Sequence, residues 1–80
     1  MSKVLSGIYQ HFKGKYYLVL GVGFHTETEE KLVIYIPLYA QKGPRIAARP
    51  VEMFFEEVEV DGIKKARFKY IGSEMPDPEI

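Results

Sequence analysis

Cysteine is absent from the 80-residue chain, and so is tryptophan. Without cysteine there are no disulfides, no thiolate nucleophile and no Cys-based zinc or iron–sulfur site. Without tryptophan, Phe and Tyr must supply the bulky packing. No apolar run approaches the ~20 residues of a membrane helix, and no apolar signal segment stands at the N-terminus. A cytoplasmic protein with no membrane partner is expected. The formal net charge is +0, so a whole-protein electrostatic case for nucleic acid is not made either.

What is present is a globular composition. Hydrophobic residues make up 46% and aromatics 14%, too much for a disordered chain. Eighty residues give one domain with a small core. The charge is uneven. Before Glu27 the charged residues are Lys3, Lys13 and Lys15, all basic. Glu56, Glu57 and Glu59 precede a basic run of Lys64, Lys65, Arg67 and Lys69, and the end of the chain is acidic. Cross-strand pairing and solubility account for such clusters first.

Runs rich in β-branched and aromatic residues predict strands. They lie over 7–12, 15–24, 31–39 and 46–49, and as a hairpin over 56–60 and 63–71. Gly21 and Gly23 sit inside the second run, where glycine serves a bulge or sharp bend. Pro37 belongs at an edge, a bulge or a strand end, because it donates nothing to a ladder. Leu32, Ile34 and Ile36 share one face of the third strand, and Val33 and Tyr35 the other. Pro50 stops the fourth strand and opens a helical turn through Val51–Phe54, with Met53 and Phe54 aimed at the core. Asp61-Gly62 between alternating runs is the strongest hairpin signal, pairing Val60 with Ile63, Glu59 with Lys64 and Glu56 with Arg67. His25–Glu30 reads as a hairpin loop, although Thr28 before two acids also fits the cap of a helical turn.

The expected fold is therefore mostly β: a small SH3-like five-stranded barrel over residues 7–72, with one short helical turn after Pro50. A flexible stretch over 1–6 and a flexible acidic tail over 73–80 flank it.

Six segments also carry a resemblance. They are Gly7-Ile8-Tyr9-Gln10-His11-Phe12-Lys13-Gly14, His25-Thr26-Glu27-Thr28, Val33-Ile34-Tyr35, Leu38-Tyr39, Arg49-Pro50-Val51-Glu52-Met53-Phe54 and Val58-Glu59-Val60-Asp61-Gly62. In order and spacing they resemble the small bacterial family DUF1653, from about Gly7 to Ile71. The resemblance implies a compact bacterial domain with no established activity. It also implies a Trp just before the Arg-Pro step, where this chain has Ala47-Ala48.

For chemistry, His11, His25, Glu27 and Glu29 are the candidate metal ligands, but no two histidines are close in sequence. His25 with Glu27 has the composition of an acid–base pair. The alternative is that His11 is a surface or half-buried strand residue and His25 orders its loop. Ser2, Ser6 and Ser73 are poorly placed nucleophiles, and Gly21-Val22-Gly23 lacks the spacing of a phosphate loop. Neither enzyme activity nor a cofactor is expected.

Six tyrosines are more than a core this small buries with every hydroxyl satisfied, so some rings should face solvent. A non-catalytic protein or peptide interaction module follows, as a monomer or weak homodimer. The alternative is a single-stranded nucleic-acid binder using Tyr with Lys and Arg. The candidate binding residues are His11, Lys13, His25, Glu27, Tyr35, Tyr39 and Arg49. For Arg49, an ion pair with Glu27 or Glu52 is the first reading and anion binding the second.

Overall fold

The computed structural model describes residues 4–39, 42–43 and 45–73. The chain forms β1 (Gly7–His11), β2 (Tyr16–Phe24), β3 (Lys31–Pro37), β4 (Ala47–Pro50), α1 (Val51–Phe54), β5 (Glu57–Val60), β6 (Ile63–Ala66) and β7 (Phe68–Gly72). Seven strands thus stand where the sequence shows six runs and a five-stranded barrel is expected. Five form an antiparallel sheet in the order β4-β3-β2-β1-β7, and β5 pairs with β6 alone. Among the described residues no ladder joins β4 to β7. The structure is a mostly-β, antiparallel fold of two sheets, with no closed barrel among the described residues.

The extra strand comes from Arg67. The run over 63–71 is continuous in sequence, yet β6 pairs with β5 and β7 pairs with β1. Arg67 is the corner between them. Its amide donates to the Glu56 carbonyl at 3.1 Å and its carbonyl accepts from Phe12 at 2.9 Å. Its guanidinium meets the Glu56 carboxylate at 2.7 Å. One residue therefore bonds to both sheets, a placement no local pattern announces. The register of the hairpin itself is as expected, with Val60 opposite Ile63 and Glu59 opposite Lys64. Asp61 and Gly62 both have positive φ, 52° and 79°, as a primed turn requires.

The bend in β2 lies at Gly21, while Gly23 stays in register opposite Leu32. The β2–β3 register slips between Val19 and Gly21, and Gly21 takes φ 152°, a region open to glycine. Pro37 ends β3, buried and opposite Tyr17.

On one face of the sheet Tyr9, Val19, Val33 and Tyr35 form the core with Phe54 and Phe68. Phe54 is 0% exposed and stacks on Phe68 at 4.2 Å with an interplanar angle of 2°. Met53 does not join it. It is 47% exposed, and Phe55 is 41% exposed. A single helical turn turns one side to the sheet, and here that side holds Val51 and Phe54, three residues apart.

Of the first six residues, 4–6 are described: Val4 packs against the core, and the Leu5 carbonyl accepts the Tyr9 hydroxyl at 2.8 Å. Residues 1–3 and the acidic stretch 74–80 lie outside the described residues. At the departure from the expected Trp, Ala47 packs beside the core opposite Tyr35, and Ala48 is exposed opposite Ile34.

Candidate functional site

The first hairpin is free of acids because the chain is free of them before Glu27. Everything built by β1, its turn and the start of β2 is therefore neutral or basic. His11 ends β1 on the core face, two residues after Tyr9 and opposite Phe68. Its ring lies 5.0 Å from Phe68, 4.5 Å from Phe12 and 6.2 Å from Tyr17. Tyr17 in turn lies 5.6 Å from Tyr35 and 5.6 Å from Tyr39. The outcome is a continuous set of rings at one end of the sheet, most of them meeting edge to face.

Cations surround that set. Arg49 Nε donates to the Tyr35 hydroxyl at 3.3 Å. Lys15 Nζ stands 4.6 Å above the Tyr39 ring, and Lys13 Nζ 5.8 Å from the Phe12 ring. The pKa of His11 is held below the ordinary value by burial first, then by the charges of Arg67, Lys13 and Arg49. Its Nδ1 accepts the Lys13 amide at 3.1 Å, which leaves the ring proton on Nε2. The Tyr17 hydroxyl is pushed far above its usual range by burial and by its 3.2 Å bond with the Tyr39 hydroxyl.

The one ion pair among the described residues, Arg67–Glu56, borders this end. Arg67 keeps a buried Nε with no hydrogen-bond partner among the described residues. The structure thus brings together His11, Lys13, Tyr35, Tyr39 and Arg49.

His25 and Glu27 are elsewhere. They follow Phe24, at the end of β2 opposite Tyr17, so about 20 Å of strand separates them from His11. His25 Nδ1 accepts the amides of Glu27 at 3.1 Å and Thr28 at 3.4 Å. His25 is an ordering residue of its loop, and the Glu27 side chain is exposed. Among the described residues no three His, Asp or Glu side chains come together as a metal site would require.

Two further expectations change. Arg49 makes no ion pair with Glu27 or Glu52 among the described residues. It pairs with Val33 on the core face, and its side chain runs to Tyr35, away from the Glu27 loop. The tyrosine surplus is also smaller than the composition implies. Tyr9 and Tyr35 are buried, Tyr16, Tyr17 and Tyr39 half-buried, and Tyr70 is exposed. The hydroxyls of Tyr9, Tyr35, Tyr17 and Tyr39 find partners in Leu5, Arg49 and each other.

Sequence reading misses Tyr17, the hub of the ring set. Its only signal is its place in a strand, which is shared with every neighbour. The lysines Lys15, Lys65 and Lys69 do announce themselves as basic runs, without showing what they border.

Residues 7–70 match the family described as "Protein of unknown function (DUF1653)". A crystal structure of a protein belonging to that family, from Bordetella bronchiseptica, superposes with a TM-score of 0.87 at 35% identity, covering 92% of this chain and 95% of that one. No curated protein matches the chain. With most of its length matched in sequence and in fold, this chain belongs to the DUF1653 family.

Proposed function

We propose that this domain is a non-catalytic interaction module, built as a strongly bent SH3-like sheet, that docks an acidic peptide segment on its basic aromatic end. One observation carries the reading. Lys13, Lys15 and Arg49 stand against a set of rings, and the described carboxylate at that end, Glu56, is already engaged by Arg67. Such a surface offers flat apolar contact plus unneutralised positive charge. A peptide of Glu and Pro supplies the complement: carboxylates for the cations and pyrrolidine rings for the aromatic edges. Enzyme chemistry is the weaker reading, because His25 and Glu27 stand at the far end of the hairpin from His11.

The test is a titration of the ¹⁵N-labelled protein with a Glu-Pro repeat peptide at low salt. Shifts should gather on His11, Tyr17, Tyr39 and Arg49, and Arg49→Gln should weaken binding about tenfold. Shifts scattered over the surface, or none, would refute the reading.

Single-stranded nucleic acid is the second reading, favoured by the two lysine–ring contacts, Lys15 on Tyr39 and Lys13 on Phe12. Anisotropy of a labelled oligo(dT) should then fall log-linearly with salt. No binding at low salt removes it.

A further inference from the structure

A pocket of about 400 Å³ opens beside the ring set, where the end of β1 and its turn meet the joint between β6 and β7. Its wall holds Gln10, His11 and Phe12 on one side and Lys65, Ala66 and Lys69 on the other. The volume falls in the ordinary range of small-molecule sites. Register explains the assembly. Gln10 lies opposite Lys69 in the β1–β7 ladder, and the Arg67 corner swings β6 round so that Lys65 reaches the same space.

Among the described residues the wall is rich in donors and contains no carboxylate. Lys65 and Lys69 bring two ammonium groups, and neither has a carboxylate partner among the described residues. His11 lines the wall, with its Nδ1 already an acceptor for the Lys13 amide. Gln10 Nε2 is tied to the Gly14 carbonyl at 3.2 Å, which holds the turn that forms the floor. Phe12, Ala66 and the lysine stems add apolar surface.

Two ammonium groups fit a dianion better than a single carboxylate. A phosphomonoester carries about −1.5 to −2 at pH 7 with three strong acceptor oxygens. The apolar wall would take the organic part. We infer that this pocket binds the phosphomonoester of a small organic group, with Lys65 and Lys69 on the phosphate. The group arrives either as a free small molecule or as the 5′-phosphate of a nucleic-acid strand. The site goes beyond the peptide reading, since it uses Lys65 and Lys69 rather than Arg49 and Tyr39, and either can fail alone.

The test titrates the ¹⁵N-labelled full chain at low salt with AMP, adenosine, ribose 5-phosphate and a tetranucleotide with or without a 5′-phosphate. Phosphate-dependent shifts should fall on Gln10, His11, Phe12, Lys65, Ala66 and Lys69. Lys65→Gln and Lys69→Gln should each weaken binding about tenfold. The exposed pair Lys31→Gln/Lys42→Gln removes twice that charge elsewhere and should bind as the native chain does. Binding of AMP and ribose 5-phosphate identifies a free ligand, and binding of the phosphorylated tetranucleotide alone identifies a strand end. AMP and adenosine shifting the protein equally would overturn the inference. So would equal weakening by the Lys31/Lys42 pair, which marks diffuse attraction.

Discussion

Phe54→Ala should remove most of the stability of this domain. Phe54 is 0% exposed and is the residue that joins α1 to both Phe68 and the sheet. Its ring stacks on Phe68 at 4.2 Å and meets Tyr9 at 5.4 Å and Tyr35 at 5.5 Å, edge to face. Truncating a buried Phe costs about 3–5 kcal/mol in lost burial and residual cavity. The high end applies here, because three aromatic partners lose a contact that is worth more than its area. At roughly 0.05–0.15 kcal/mol per residue the whole fold is held by about 4–12 kcal/mol. The variant should therefore unfold at least ~12 °C below the native chain, or not fold at all at 37 °C.

Urea unfolding followed by circular dichroism measures this, with two companions. Phe54→Leu keeps an apolar side chain while giving up the stacked ring, and should lose about 1–2 kcal/mol. Met53→Ala, beside it but exposed, should change stability by less than ~0.5 kcal/mol. Equal losses at positions 53 and 54, or a Phe54→Ala midpoint near the native one, would show that the core is not arranged around this ring.

Gly62→Val should cost about 1–3 kcal/mol, since a β-branched residue resists φ 79°; amide exchange should rise first in β5 and β6, and unchanged protection there would refute the primed turn. For Glu56 and Arg67, a Glu56→Gln/Arg67→Gln double-mutant cycle should give a coupling below ~1 kcal/mol, as the carboxylate side chain is 53% exposed; a coupling well above that would mean the corner is drier than its surface suggests. His11 should titrate below its ordinary pKa of about 6.5 by NMR. Its folded-state pKa lies below the unfolded one, so its contribution is complete above about pH 6.5 and is lost as pH falls through the folded value. His11→Gln should flatten that part of the pH–stability curve, and a midpoint at or above 6.5 would contradict the positive surroundings.

Much of the architecture was readable locally. The alternation of residues 57–60 and 63–66 about Asp61-Gly62 settled the last hairpin and its register, because turn chemistry and pleat are properties of neighbours. Gly21 marked the bulge for the same reason, as did Pro50 the start of α1. The absence of acids before Glu27 made the first hairpin basic wherever it folded. What tertiary structure decided were the things that depend on distant partners. Arg67 became a corner because Glu56 and Phe12 both bond its backbone, and that corner split one expected strand into two sheets. Met53 turned outward because one helical turn has one buried side. Arg49 chose Tyr35 over Glu27, and His25 stayed with its own loop, because strand direction carried the two ends of the β2–β3 hairpin apart. The candidate site follows the same division. Its lysines and rings are visible as residue types, but their meeting around His11, and the pocket between Gln10 and Lys65, exist only once β7 lies beside β1.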